Sequence, residues 1–194
     1  MPRSPHVDLP LLEVPDRRAW EAWLAEHHAD SSGVWLTIAK QGATRSTPSK
    51  DEALEVAICF GWIDGQVGAI DAHFWRQRFT PRRPRSKWSQ INRQKATELI
   101  EGGAMRPAGL AEVQRAKADG RWDAAYEPQS RATVPDDFRA ALAATPAAEA
   151  FFATLTGVNR YAFLYRIHDA KRPETRAKRI AHFVEMLAER RTLH

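Results

Sequence analysis

The sequence predicts an α+β fold, with a small, mostly antiparallel sheet over about residues 34–80 packed with helices and a helical C-terminal half after it. Three observations predict this. Short stretches of alternating, β-branched and aromatic residues cluster before residue 80. From Trp88 onward the apolar period is helical throughout. Within that second half, Pro135, Pro146 and Pro173 each stand where a helix would begin.

Taken in order, Asp16 precedes RRAWEAWLAEHHA, where Ala19, Trp20, Trp23, Leu24 and His27 share one helical face and Asp16 is the expected N-cap. The stretch SSG punctuates, and VWLTIAK alternates as a strand. Ser49 with Glu52 forms a capping box that opens a helix carrying Ala53, Val56, Ala57 and Phe60 on one face. Two further stretches, WIDGQVGAI and HFWRQRFT, flank Asp71 and Ala72 and read as an antiparallel pair. The helix from Trp88 stops at Gly102 and Gly103, and the next runs from Pro107 to Gly120. The stretch RWDAAYEPQSRATVP has no clear period. The last helix is expected to pack through Ala177, Ile180, Ala181, Val184 and Leu187. The resulting division is an α+β core over residues 1–120, a connector over 121–134 and a helical region over 135–194.

Composition narrows the function classes. The chain of 194 residues is 43% hydrophobic and 27% charged, as in an ordinary soluble domain. A chain of this size buries roughly 70% of its unfolded surface, so it needs no staple. No apolar run approaches the ~20 residues of a membrane span. The opening MPRSPHVDLPLLEVPD has no continuous apolar core or small-residue cleavage site, so the expected location is the cytoplasm. A single cysteine, Cys59, excludes an intrachain disulfide framework and a cysteine-based zinc site. The histidines are scattered, and no metal-ligand spacing, phosphate loop, dinucleotide fingerprint or nucleophile elbow is present. Neither a metal nor a cofactor is expected.

Charge is localised. The net charge is +5, yet no acidic residue lies between Asp71 and Glu98, where eight Lys and Arg residues fall. Removing those eight leaves 21 basic against 24 acidic residues, so the basicity belongs to one segment. On the strand, Arg76 and Arg78 share a face with Phe74, while Trp75, Gln77 and Phe79 take the other. Pro81 and Pro84 stiffen the turn that follows, and Ser86 or Ser89 is expected to cap the next helix. Arginine forks, a stiff turn and a helix N-terminus suit a phosphate or carboxylate. A solvated charged face and a single-stranded nucleic-acid surface are the competing readings.

The segment CFGWIDGQ, residues 59–66, holds the remaining candidates. Asp64 is either a turn-former before Gly65 or a carboxylate aimed into a cleft, where it could serve an enzyme as general acid or base beside an arginine. Trp62 suits a core position first and a ligand platform second. Cys59, between Ile58 and Phe60, reads as a small buried side chain with an inert thiol.

The stretches ALEVAICFGWIDGQ and RFTPRRPRSKWSQINRQKATELIEGGAMRPAGL resemble the YdeI/OmpD-associated family of bacteriocin-protection proteins, and NRYAFLYRIHDAKRPETRAKRIAHFVEML is similar to its C-terminal helical region. The family's C-F-G-W-I-D-G core falls on Cys59 to Gly65, its F-T-P-R turn on Phe79 to Arg82, and its S-x-W-S-x-x-N helix start on Ser86, Trp88, Ser89 and Asn92. The resemblance implies one α+β unit, a cytoplasmic location and a protective role. It implies no reaction, and the porin in the family name does not place this chain in a membrane. The combined expectation is a binding protein for a small anionic ligand, with Trp62, Asp64, Arg78, Thr80, Arg82, Ser86, Trp88 and Asn92 around it. Nucleic acid ranks second as a partner.

Overall fold

A computed structural model describes residues 9–193. The first part of the opening stretch assessed for a secretory signal, residues 1–8, lies outside the described residues. The chain divides into two compact units, one from Met1–Trp88 and Asn92–Ala124, the other from Ser89–Ile91 and Ala125–His194. Among the described residues, eight helices and a four-stranded, mostly antiparallel sheet make the fold α+β, with the sheet in the N-terminal half and helices alone in the C-terminal half.

In unit 1 the strands are β1 (Leu11–Leu12), β2 (Val34–Ala39), β3 (Trp62–Ala69) and β4 (Phe74–Pro81), in the order β1-β2-β4-β3. β1 runs parallel to β2, and the other pairings are antiparallel. The two-residue β1 is an addition that the sequence pattern does not reveal, because a strand this short between Pro10 and Pro15 shows no alternation. The tight β3–β4 turn is closed by Asp71, whose Oδ1 accepts from the N–H groups of His73 at 2.7 Å and Phe74 at 2.8 Å. Those bonds hold its carboxyl below the usual range.

One sheet face is the core. Val34, Leu36, Ile38 and Phe79 pack there with residues of α1 (Arg17–His27) and α2 (Lys50–Cys59). Asp16 caps α1 through Ala19 N–H, and the Ser49–Glu52 capping box at α2 forms in both directions. Trp20 and Trp62 are fully buried, and each indole N–H finds a backbone carbonyl, of Ala53 and His28 respectively, at 3.1 Å. Burying these two indoles therefore leaves neither donor unmet. Gly61 carries the chain from α2 into β3 at φ +74°, and a Cβ there would stand 2.9 Å from the Ala108 carbonyl oxygen. Ala108 belongs to α4 (Pro107–Ala118), which starts at its proline and follows α3 (Gln90–Glu101). The helix expected from Trp88 thus begins two residues later, at Gln90.

Unit 2 holds α5 (Asp136–Ala143), α6 (Pro146–Thr154), α7 (Gly157–Asp169) and α8 (Pro173–Ala188). Pro135, Pro146 and Pro173 stand at three of the helix starts as expected, whereas α7 opens at Gly157 with φ +53° and no proline signal. Its core is a relay of aromatic edges, Phe138 to Phe152 to Phe163 to Phe183, each pair near perpendicular. The packed face of α8 differs from expectation. Ile180, Phe183, Met186 and Leu187 are buried, while Ala177 and Ala181 are exposed and Val184 is half-buried. The helix turns its larger side chains inward because Phe183 and Met186 bury more apolar area than two alanines. Among the described residues no helix is long and apolar enough to cross a membrane.

Candidate functional site

The outer face of the unit 1 sheet is set by register. Trp35 opposes Arg78, Thr37 opposes Arg76 and Ala39 opposes Phe74, so these side chains lie on the face away from Leu36 and Phe79. The Arg76 guanidinium lies over the Trp35 ring at 4.5 Å. Across β3, Arg78 donates from Nη1 to Gln66 Oε1 at 3.3 Å, beside the bulge between Asp64 and Val67. Among the described residues neither arginine has an acidic partner within ion-pair distance. The Nε groups of both are buried and meet no protein acceptor.

Beside them is a concavity of about 440 Å³ lined by Glu13, Thr37, Arg45, Ser46, Thr47 and Phe74, among others. Thr37 is 1% exposed, and its buried hydroxyl has no protein partner. Arg45 closes one side, paired with Glu13 at 2.6 Å and lying 4.8 Å over Phe74. Arginine forks, a hydroxyl and two rings thus share one surface. Trp35, Thr37 and Arg45 were not singled out from sequence. The alternation of VWLTIAK does put Trp35 and Thr37 on one face, but nothing local says that this strand would lie against β4.

The other sequence-predicted site residues separate. Asp64 opposes Phe79 within β3, so it is neither a turn residue nor on the face of Arg78 and Thr80. Its half-buried carboxylate accepts from Asn92 Nδ2 at 3.2 Å, which joins two of the expected residues. Trp62 belongs to the core and offers no ring face to a ligand. Thr80 opposes Ile63 at the end of β4, against Gly33. Arg82 is 5% exposed, with its guanidinium 3.5 Å over the Trp88 ring and Nη1 donating to Lys87 O. Trp88 is itself buried against Trp122 at 5.0 Å. These two form a folded corner. Ser86 does not cap α3, because its Oγ accepts from Arg83 N–H at 2.9 Å and closes the turn that Pro84 stiffens. The expected eight-cation tract is dispersed as well. Lys95 pairs with Glu55 at 3.2 Å and Arg93 donates to Trp122 O. Asp64 and the strand arginines lie on opposite sheet faces, so Arg76 and Arg78 are not the arginine partner considered for an Asp64 acid or base.

A second concavity in unit 1, about 740 Å³, is lined by Glu21, Ala25, His28, Phe60 and Arg106, with Arg106 and Glu21 paired at 2.6 Å. Cys59 lies buried nearby, and burial pushes its thiol up and away from the reactive thiolate. Among the described residues no group of three His, Cys, Asp or Glu could hold a metal ion.

Residues 12–112 match a domain of unknown function (DUF8412), over just more than half of the chain. The chain belongs to this family. The domain of unknown function takes in the outer sheet face and the stretches CFGWIDG, FTPR and SKWSQIN alike. Residues 131–190 match the family described as Bacteriocin-protection, YdeI or OmpD-Associated, which supports the resemblance seen in the sequence and locates it on the C-terminal helices. No curated protein and no solved structure matches the chain.

Proposed function

We propose that this chain is a cytoplasmic binding protein for a small ligand bearing a phosphate or carboxylate, held on the outer face of the unit 1 sheet, and that it serves the bacteriocin tolerance named in its C-terminal family. One observation carries the reading. Arg76 and Arg78 project from one face of a paired strand, without an acidic partner among the described residues. A guanidinium offers a planar fork of donors that fits a phosphate or carboxylate, and a strand holds two forks at fixed spacing.

The test is a thermal-shift titration with inorganic phosphate, pyrophosphate and citrate. The protein should be stabilised by at least one of them, and Arg76→Gln/Arg78→Gln should lose that stabilisation while remaining folded without ligand. Arg83→Gln/Arg85→Gln, on the exposed turn, should keep it. A loop variant that loses as much as the strand variant, or a wild type indifferent to all three anions, would overturn the reading.

The stacking of Arg76 on Trp35 favours single-stranded nucleic acid as the second reading. With the cations dispersed, about three phosphates would be neutralised at this face, and log K against log[salt] would slope by about −2. Binding of a short labelled oligonucleotide with that slope would favour it over a small anion.

A further inference from the structure

Unit 2 has a cavity of its own, about 170 Å³. Helix α7 supplies one wall. Tyr161, Leu164, Tyr165 and His168 recur at helical spacing and therefore share a face. The opposite wall comes from the irregular segment before α5, through Tyr126, Glu127, Thr133 and Pro135. All three tyrosines of the chain line this one space.

Their rings are set at distinct angles. Tyr126 and Tyr165 have centroids 5.0 Å apart at 87°, and Tyr161 and Tyr165 are 5.9 Å apart at 45°. In the first pair the edge of one ring meets the face of the other, so the rings make a corner and not a stack. Tyr161 is fixed by its hydroxyl, which donates to Glu127 O at 2.6 Å. Burial pushes that phenol up to about 12, so it stays neutral. Burial, aided by Lys171, also pulls His168 below its ordinary value and favours the uncharged imidazole at neutral pH. Among the described residues no Lys or Arg lines the cavity. Arg176, which also acts on His168, is bound to the Asp137 carboxylate. The remaining formal charge in the lining is the Glu127 carboxylate, close enough to act on both Tyr161 and His168.

We propose that this aromatic box is a binding site for a small organic cation of the quaternary or methylated ammonium class. Tyrosine rings and one carboxylate attract a weakly hydrated cation. They repel the anions invoked for the sheet face, so this site is independent of that reading. The space amounts to about six water molecules at the liquid share of ~30 Å³ each, enough for a compact ammonium head and too little for a nucleotide.

The experiment titrates the full chain with choline, tetramethylammonium and 3,3-dimethyl-1-butanol, the neutral isostere of choline, by calorimetry. Choline should bind about tenfold more tightly than the alcohol, the ratio that a desolvated cation–π site yields. Tyr165→Phe should retain choline, and Glu127→Gln should weaken it several-fold. Arg76→Gln/Arg78→Gln should leave it unchanged. Equal affinity for choline and the alcohol would reduce the site to an apolar crevice, and no heat with either ammonium at millimolar concentration would end the proposal. Tyr165→Ala should abolish binding, and if that variant unfolds, the wild-type comparison of choline with its isostere decides.

Discussion

Arginine on the unit 1 sheet face does different work from arginine at the helix ends of unit 2. In unit 2, Arg176 donates to both oxygens of Asp137, at 2.5 and 2.8 Å, and also to the carbonyl of Ile167 near the end of α7. Arg179 bonds to the Arg166 carbonyl, and Arg139 to Asp136 and the Val134 carbonyl. These guanidiniums tie helix ends and flanking backbone together, at Ile167 by adding a second donor to a carbonyl that already accepts from Ala170 N–H. In unit 1, Arg76 and Arg78 rest on a ring and an amide and neutralise nothing. A bundle of short helices has many orphan carbonyls to meet, while a sheet ladder satisfies its own backbone. Arginine on the sheet face is thus left over for something else.

If unit 2 arginines belong to its fold, they should still rank below its aromatic relay. Phe163→Ala, at the centre of that relay and fully buried, should cost about 3–5 kcal/mol by urea unfolding. Arg176→Ala comes next. It breaks a two-point ion pair and removes the donor to Ile167 O, for about 1–2 kcal/mol. Arg76→Gln and Arg78→Gln should each cost less than about 1 kcal/mol, since each gives up a surface stack or one bond to an amide. All seven tryptophans fall in unit 1 and all three tyrosines in unit 2, so tryptophan fluorescence follows the first unit. Circular dichroism at 222 nm adds the helices of the second. A large loss from the strand variants would make those arginines structural and erase the contrast.

The contrast was half visible in the sequence. Alternation in HFWRQRFT placed Arg76 and Arg78 together, because a strand's period of two needs no tertiary information. The caps at Asp16 and Ser49 were equally local. What could not be read was which strands become neighbours. Placing β2 against β4 brings Thr37 and Trp35 to the arginines, and that choice rests on the whole core. The same limit separated Asp64 from Arg78, since the expected shared pocket required them on one face. On α8 the period was right and the phase wrong, because Phe183 and Met186 decide which side is buried. The tyrosine box combines a helix with an irregular segment that has no period to read.

The smallest effect is also the most discriminating. Bonding to Arg176 holds the Asp137 carboxyl below its usual range. A depressed value in the folded state contributes stability that is present above the unfolded Asp value of about 3.9 and is lost as pH falls through the folded one. Between pH 7 and pH 5 the pair should therefore contribute a constant amount. Below about pH 4 it should fade, by less than about 1 kcal/mol because Asp137 remains 47% exposed and solvent screens it. Urea midpoints at pH 6 and pH 3 for wild type and Asp137→Asn check this, with a smaller difference at pH 3 than at pH 6. For Arg76 and Arg78, which have no carboxylate to titrate, the corresponding difference should be flat across the range. A pH-dependent cost for Arg76→Gln would mean that an acidic side chain does reach the sheet face, and the site would then be closed to an anion.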